Sequence, residues 1–144
     1  MGQKDSQAAE KRIATKEHRV NGVTLDAGGL IALQKNDRRV FLILERAMKE
    51  GGRVLVPATA LAQVVRNPAK QVRLWRMIQR DETEIVPLDG ARAQEVGVLL
   101  SKTGTSDIAD AHVVVCARKD GFAVITSDPN DLRRLEPRLR LVPV

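Results

Sequence analysis

The stretch Asp110–Thr126, DAHVVVCARKDGFAVIT, decides how the rest of the chain is read. Its first part carries Ala111, Val113, Val114, Val115, Cys116 and Ala117 with no turn residue among them, and Gly121 then stops it, as glycine does at helix C-termini. Phe122–Thr126 follows at once as an apolar run of strand length. A helix followed directly by a short apolar strand belongs to a parallel sheet covered on both faces, where neither strand face meets water. An acid, Asp110, stands near the start of the helix, and another, Asp128, follows the strand in Ser127-Asp128-Pro129.

Outward from this stretch the same rhythm repeats. Gly22–Leu25 is a β-prone run ending at Asp26, after which Gly28 and Gly29 permit a tight turn into a helix carrying Leu30, Ile31 and Leu33. A second helix from about Asp37 places Val40, Phe41, Ile43, Leu44, Ala47 and Met48 at helical spacing and ends at Gly51-Gly52. Arg53–Val56 reads as a strand, and Pro57 opens the helix Ala58–Val65. Asn67-Pro68 breaks that helix, and another is expected from about Ala69 to Arg80. Then come a strand at Glu84–Leu88, a helix at Ala91–Leu100 capped by Asp89, a loop at Lys102–Thr105, and a helix starting at Ser106 or Asp107. A short helix from Asp128 and a last edge strand at Leu139–Val142 close the chain. This alternation predicts a three-layer α/β/α sandwich around a central, mainly parallel five-stranded sheet. Residues 21–144 form that one domain, and residues 1–20, mixed in charge and poor in large aliphatics, read as a flexible N-terminal segment.

Composition narrows the function. The net charge of +6 and pI near 10.0 favour a polyanionic partner. With two Phe, one Trp and no Tyr, a multi-ring base-stacking platform is not expected. The single cysteine, Cys116, forms no intramolecular disulfide and lies in an apolar run as a core residue. No stretch approaches the ~20 apolar residues that span a bilayer, so a cytoplasmic protein is expected.

The acids carry the chemistry. Asp26, Asp107, Asp110 and Asp128 all stand where a strand or loop meets a helix, and residues past the carboxyl ends of parallel strands converge on one crevice. Carboxylates gathered there repel unless a hard cation neutralises them. A helix N-cap occupies the same geometry, so for Asp26, Asp107 and Asp128 the residues alone leave cap and ligand open. Asp110 lies inside its helix and is drawn toward the protein, where an unpaired carboxylate is costly. His112, two residues on, faces another side and reads as packed or surface rather than catalytic.

With LDAGGLIAL, VPATALAQVVR and DAHVVVCARKDGFAVITSD in view, the chain resembles the PIN domain, especially the VapC-like toxins of bacterial toxin–antitoxin pairs. The resemblance implies an α/β/α nuclease in which Asp26, Asp110 and Asp128 hold Mg²⁺ or Mn²⁺, close enough to share one cation, for RNA cleavage. It also implies a homodimer silenced by a small antitoxin protein. At one position the chain departs from the pattern: the family usually places Glu where this chain has Gln63. Gln offers an oxygen but no charge, and Asp107 stands close enough in sequence to supply the missing one. Gln63, Ser127 and Asp131 are therefore assigned to the rim, with Asp26, Asp107, Asp110 and Asp128 as the catalytic set.

Lys70, Arg73 and Arg76 step along the expected 69–80 helix as a basic stripe. It is either a solvated face or an RNA track. Three readings follow: a metal-dependent endoribonuclease, a catalytically weakened PIN-like module that binds RNA or a protein partner, and an α/β nucleotide-type domain whose acids are caps. The last lacks any GxGxxG or Walker-A loop.

Overall fold

The computed structural model describes residues 22–144. The expected flexible segment 1–20 lies outside the described residues. Five strands, β1 (Val23–Leu25), β2 (Val54–Pro57), β3 (Thr83–Val86), β4 (Ala123–Thr126) and β5 (Leu141–Pro143), form one sheet in the order β3-β2-β1-β4-β5. Every neighbouring pair is parallel. Among the described residues seven α-helices flank the sheet: α1 (Ala27–Gln34), α2 (Arg38–Lys49), α3 (Ala58–Val64), α4 (Val72–Ile78), α5 (Gly90–Thr103), α6 (Ile108–Asp120) and α7 (Pro129–Leu135). The three-layer α/β/α sandwich expected from the alternation of strands and helices is what forms.

The order explains why acids meet. β1 lies between β2 and β4, and the chain turns outward in opposite directions from β1 and β4. The crevice at such a reversal opens between the carboxyl ends of those two strands. Leu25, Val54, Val56, Val124 and Ile125 are fully buried on the strands, which accounts for their unbroken apolar character. Helix α6 is buried from Ala111 through Ala117 because it packs on β1, β2 and β4 while α3, α5 and α7 close over it. A helix apolar nearly all round has to be enclosed in this way.

Element boundaries move where side chains intervene. Gly28 and Gly29 are not a turn before a helix; they lie in the first turn of α1, which starts directly after Asp26. Their lack of a side chain permits close approach to β4. A Cβ on Gly29 would collide with the Ile125 carbonyl, and one on Gly28 with the Ser127 hydroxyl. The expected 69–80 helix divides into a 3-10 turn at Pro68–Lys70 and α4. Buried Gln71 pins the break. Its Oε1 accepts from the Arg66 and Asn67 amides at 2.9 and 3.1 Å, while its Nε2 donates to Val64 O and Gln34 Oε1 at 2.8 and 2.7 Å. Helix α5 runs on to Thr103 before Gly104 turns it off in the left-handed region. The last strand starts two residues later than expected, at Leu141.

Candidate active site

Asp26 follows β1 and caps α1: its Oδ1 accepts from the Gly29 amide at 2.8 Å. The residue is only 6% exposed. Burial raises its pKa, and the nearby Asp128 charge adds to this; the Thr126 hydroxyl and the Gly28 and Gly29 amides oppose the shift by bonding the ionised form. Asp26 is thus an N-cap whose buried carboxylate also lies within reach of the Asp128 charge.

Thr126 is the residue that the sequence reading passed over. It is fully buried at the end of β4, and its Oγ1 accepts from the Asp128 amide at 2.9 Å while its hydroxyl supports the Asp26 carboxylate. One hydroxyl therefore ties the loop carrying Asp128 to the acid after β1. The position next to Ser127-Asp128 at a strand end was the available signal, but an apolar run conceals a threonine well.

Asp107 caps α6 by accepting from the Asp110 amide at 2.9 Å and is exposed. Asp110 stands in the first turn of α6, half-buried. Its pKa is pushed up to about 7, chiefly by burial and then by the charges of Asp107, Asp131, Asp26 and Asp128. That set of neighbours puts the other four carboxylates within electrostatic reach of Asp110. Asp128 occupies the N-cap position of α7 yet makes no capping bond with its side chain, which leaves its carboxylate available to the cleft. A hydrogen bond and charge from Asp128 raise the pKa of exposed Asp131. A pocket of about 300 Å³ opens between Asp107, Asp110, Asp131 and Arg134.

The remaining expected residues fall at the periphery. Gln63 is exposed on α3, one turn beyond Thr59. Thr59 Oγ1 bonds His112 Nδ1 at 2.8 Å, so the side of α3 bearing both faces α6. Ser127 is exposed against Gly28. His112 is fully buried and its pKa lowered by that burial, which makes it a packed neutral imidazole, as expected. Lys70 lies in the 3-10 turn, outside α4, so the helical stripe consists of Arg73 and Arg76.

By donor chemistry the site fits a hard divalent cation: its anionic donors are carboxylates, and among the described residues it has no thiolate and no accessible imidazole, Cys116 and His112 both being buried. Among the described residues no three His, Cys, Asp or Glu side chains are already gathered into an ion cage. Asp110 feels the charges of Asp26 and Asp128, which places the three within electrostatic reach of one another.

A parallel sheet with an acidic cleft at its switch point defines a PIN-like α/β/α protein, and residues 23–136 match the PIN domain. The chain belongs to the PIN domain family. Among solved structures it is similar to VapBC2 from Rickettsia felis bound to a DNA fragment from their promoter, at 17% identity and a TM-score of 0.63, covering 85% of this chain and 98% of that one. It is also similar to FitAcB from Neisseria gonorrhoeae, at 17% identity and a TM-score of 0.56, covering 83% and 95%. No curated protein sequence matches significantly.

Proposed function

We propose that this PIN-domain protein is a Mg²⁺- or Mn²⁺-dependent endoribonuclease, with Asp26, Asp110 and Asp128 as metal ligands and Asp107 as the fourth catalytic acid. The observation that carries the reading is Asp110, a half-buried carboxyl pushed to about 7 chiefly by burial and then by four neighbouring acids. A divalent cation held by these acids would neutralise their charge and lower the pKa of a bound water, supplying hydroxide as the nucleophile for phosphorus. The chain's own contribution is to hold the acids. Asp26 is fixed by the Gly29 amide, Asp128 by the Thr126 hydroxyl through its own amide, and Asp110 by the first turn of α6. Asp110 gives up its proton when positive charge arrives, so metal affinity rises with pH toward neutrality. Gln63, Ser127 and Asp131 form the rim.

The biological setting follows from likeness. Sequence resemblance to VapC-like toxins, with a fold shared with VapBC2 and FitAcB, supports a toxin held silent by a small antitoxin protein and acting as a homodimer. Among the described residues no helix is long and apolar enough to cross a membrane, in line with a cytoplasmic role. Neutral Gln63 favours a second reading, a weakened nuclease that acts by binding RNA or a protein partner. Cleavage of a structured RNA with Mn²⁺, with EDTA, and with Asp110→Asn decides between them. Cutting that needs both metal and Asp110 supports the enzyme; RNA bound but never cut supports the module.

A further inference from the structure

Between α1, α2 and α4 lies a recess of about 260 Å³ that the acidic cleft does not use. Leu33 and Met77, both buried, form its floor. Phe41 stands in its wall with 49% of its surface exposed, although the chain has only two phenylalanines and little aromatic surface to spare. Arg73 and Arg76, one turn apart on α4, line the opposite side and are exposed. Among the described residues neither is in an ion pair, whereas Arg80 at the edge is engaged by Glu82 at 3.1 Å. The one carboxylate in the recess, Asp37, is engaged locally, accepting from the Arg39 and Val40 amides at 2.9 and 3.2 Å to cap α2. Asn36 completes the rim in a left-handed backbone conformation, φ 62°, that holds its amide at the turn between α1 and α2.

We infer that this recess is a subsite for one unpaired nucleotide of the RNA strand, with Phe41 stacking the base and Arg73 and Arg76 holding its phosphate. The inference rests on the ribonuclease reading and names where the substrate is gripped away from the scissile bond. Charge decides the occupant: two unpaired guanidiniums beside an apolar ring match a phosphate joined to a flat heterocycle. A single ring makes no platform for a run of bases, but it suffices for one. Helix α1 links the two places. Asp26 caps its start in the cleft, and Leu33 in its last turn floors the recess, a helix of eight residues or about 12 Å away. An RNA strand spans that gap with a few nucleotides. The subsite would thus set substrate affinity and the choice of an unpaired base, and leave the chemistry to the acids.

Fluorescence anisotropy of a short single-stranded RNA on the full chain tests this, with EDTA present so that nothing is cut. Arg73→Gln combined with Arg76→Gln is expected to weaken binding about tenfold or more and to lower the salt slope by about 0.7, the share of one phosphate contact on a single strand. Phe41→Leu is expected to weaken RNA binding about fivefold or more with the slope unchanged, and Phe41→Trp to restore it. Inorganic polyphosphate, which has no base, should respond to the arginine changes and not to Phe41→Leu. RNA binding unaffected by these variants overturns the subsite, and so does equal weakening of polyphosphate and RNA by Phe41→Leu. If RNA affinity is unchanged while a glutamate-rich peptide loses its grip, the recess belongs to an acidic protein segment and the proposal is again overturned. Wild-type protein that cuts no RNA, yet loses RNA affinity through these variants, supports the subsite and removes the nuclease reading.

Discussion

Asp110 shows how one side chain records its surroundings. Unfolded, it titrates at the ordinary 3.8; folded, burial and four neighbouring acids move it to about 7. Between these values the folded state keeps a proton that the unfolded chain has released. The stability this group contributes is therefore complete below 3.8 and lost as pH rises through about 7. Buried Asp26, also raised, acts in the same direction. The metal-free protein should accordingly lose melting temperature as pH climbs toward 7, and Asp110→Asn should flatten that fall; identical slopes in both proteins would remove Asp110 from the cluster. Thr126 invites a separate test. Thr126→Val keeps the shape and deletes the hydroxyl, leaving the Asp128 amide unbonded at a cost of about 1 kcal/mol, while Thr126→Ser keeps the bond. Urea unfolding should rank valine below serine, and RNA cleavage should follow the same order.

At the scale of elements, the cleft depends on α1 starting hard against β4. Gly29→Ala would push a methyl group into the Ile125 carbonyl, backbone that cannot rotate aside. A loss of about 1–3 kcal/mol is expected, as for other overpacked sites, and cleavage should fall with it because Asp26 caps that helix. Equal stability of the two proteins in urea would show that β4 and α1 part at little cost. Strand β2 and helix α6 were legible in the sequence because Val54–Val56 is uniformly apolar and Ala111–Ala117 is apolar but for His112. The break before α4 was less so. It depends on buried Gln71 reaching Val64, Arg66, Asn67 and Gln34, and a polar residue that binds at four points looks in sequence like any surface glutamine. Among the site residues, the acids stood out by their place after strands. Thr126 did not, because its hydroxyl acts only once two distant strands lie side by side.

The whole molecule is a basic chain in which the carboxylates of Asp26, Asp107, Asp128 and Asp131 lie within electrostatic reach of Asp110. Its net charge of +6 favours a polyanionic partner, yet in the proposed nuclease the acids at the switch point repel phosphate until a cation intervenes. Metal and substrate should therefore bind cooperatively. Saturating Mn²⁺ should also raise the melting temperature, by about 2.7 kcal/mol of added stability at a hundredfold excess over Kd. Gln63 tests how complete this charge is. If it borders the metal, Gln63→Glu should tighten Mn²⁺ binding and speed RNA cleavage, whereas if Asp107 fills that role the change should do little and Asp107→Asn should abolish cutting. The central claim, that acids from β1, α6 and the end of β4 hold one divalent cation, is tested most directly by a crystal structure with Mn²⁺ and its anomalous signal. The account predicts one peak bonded to carboxylate oxygens of Asp26, Asp110 and Asp128, about 2.0–2.2 Å away as for hard six-coordinate ions. Full Mn²⁺ occupancy elsewhere, with these three carboxylates bare, would contradict it.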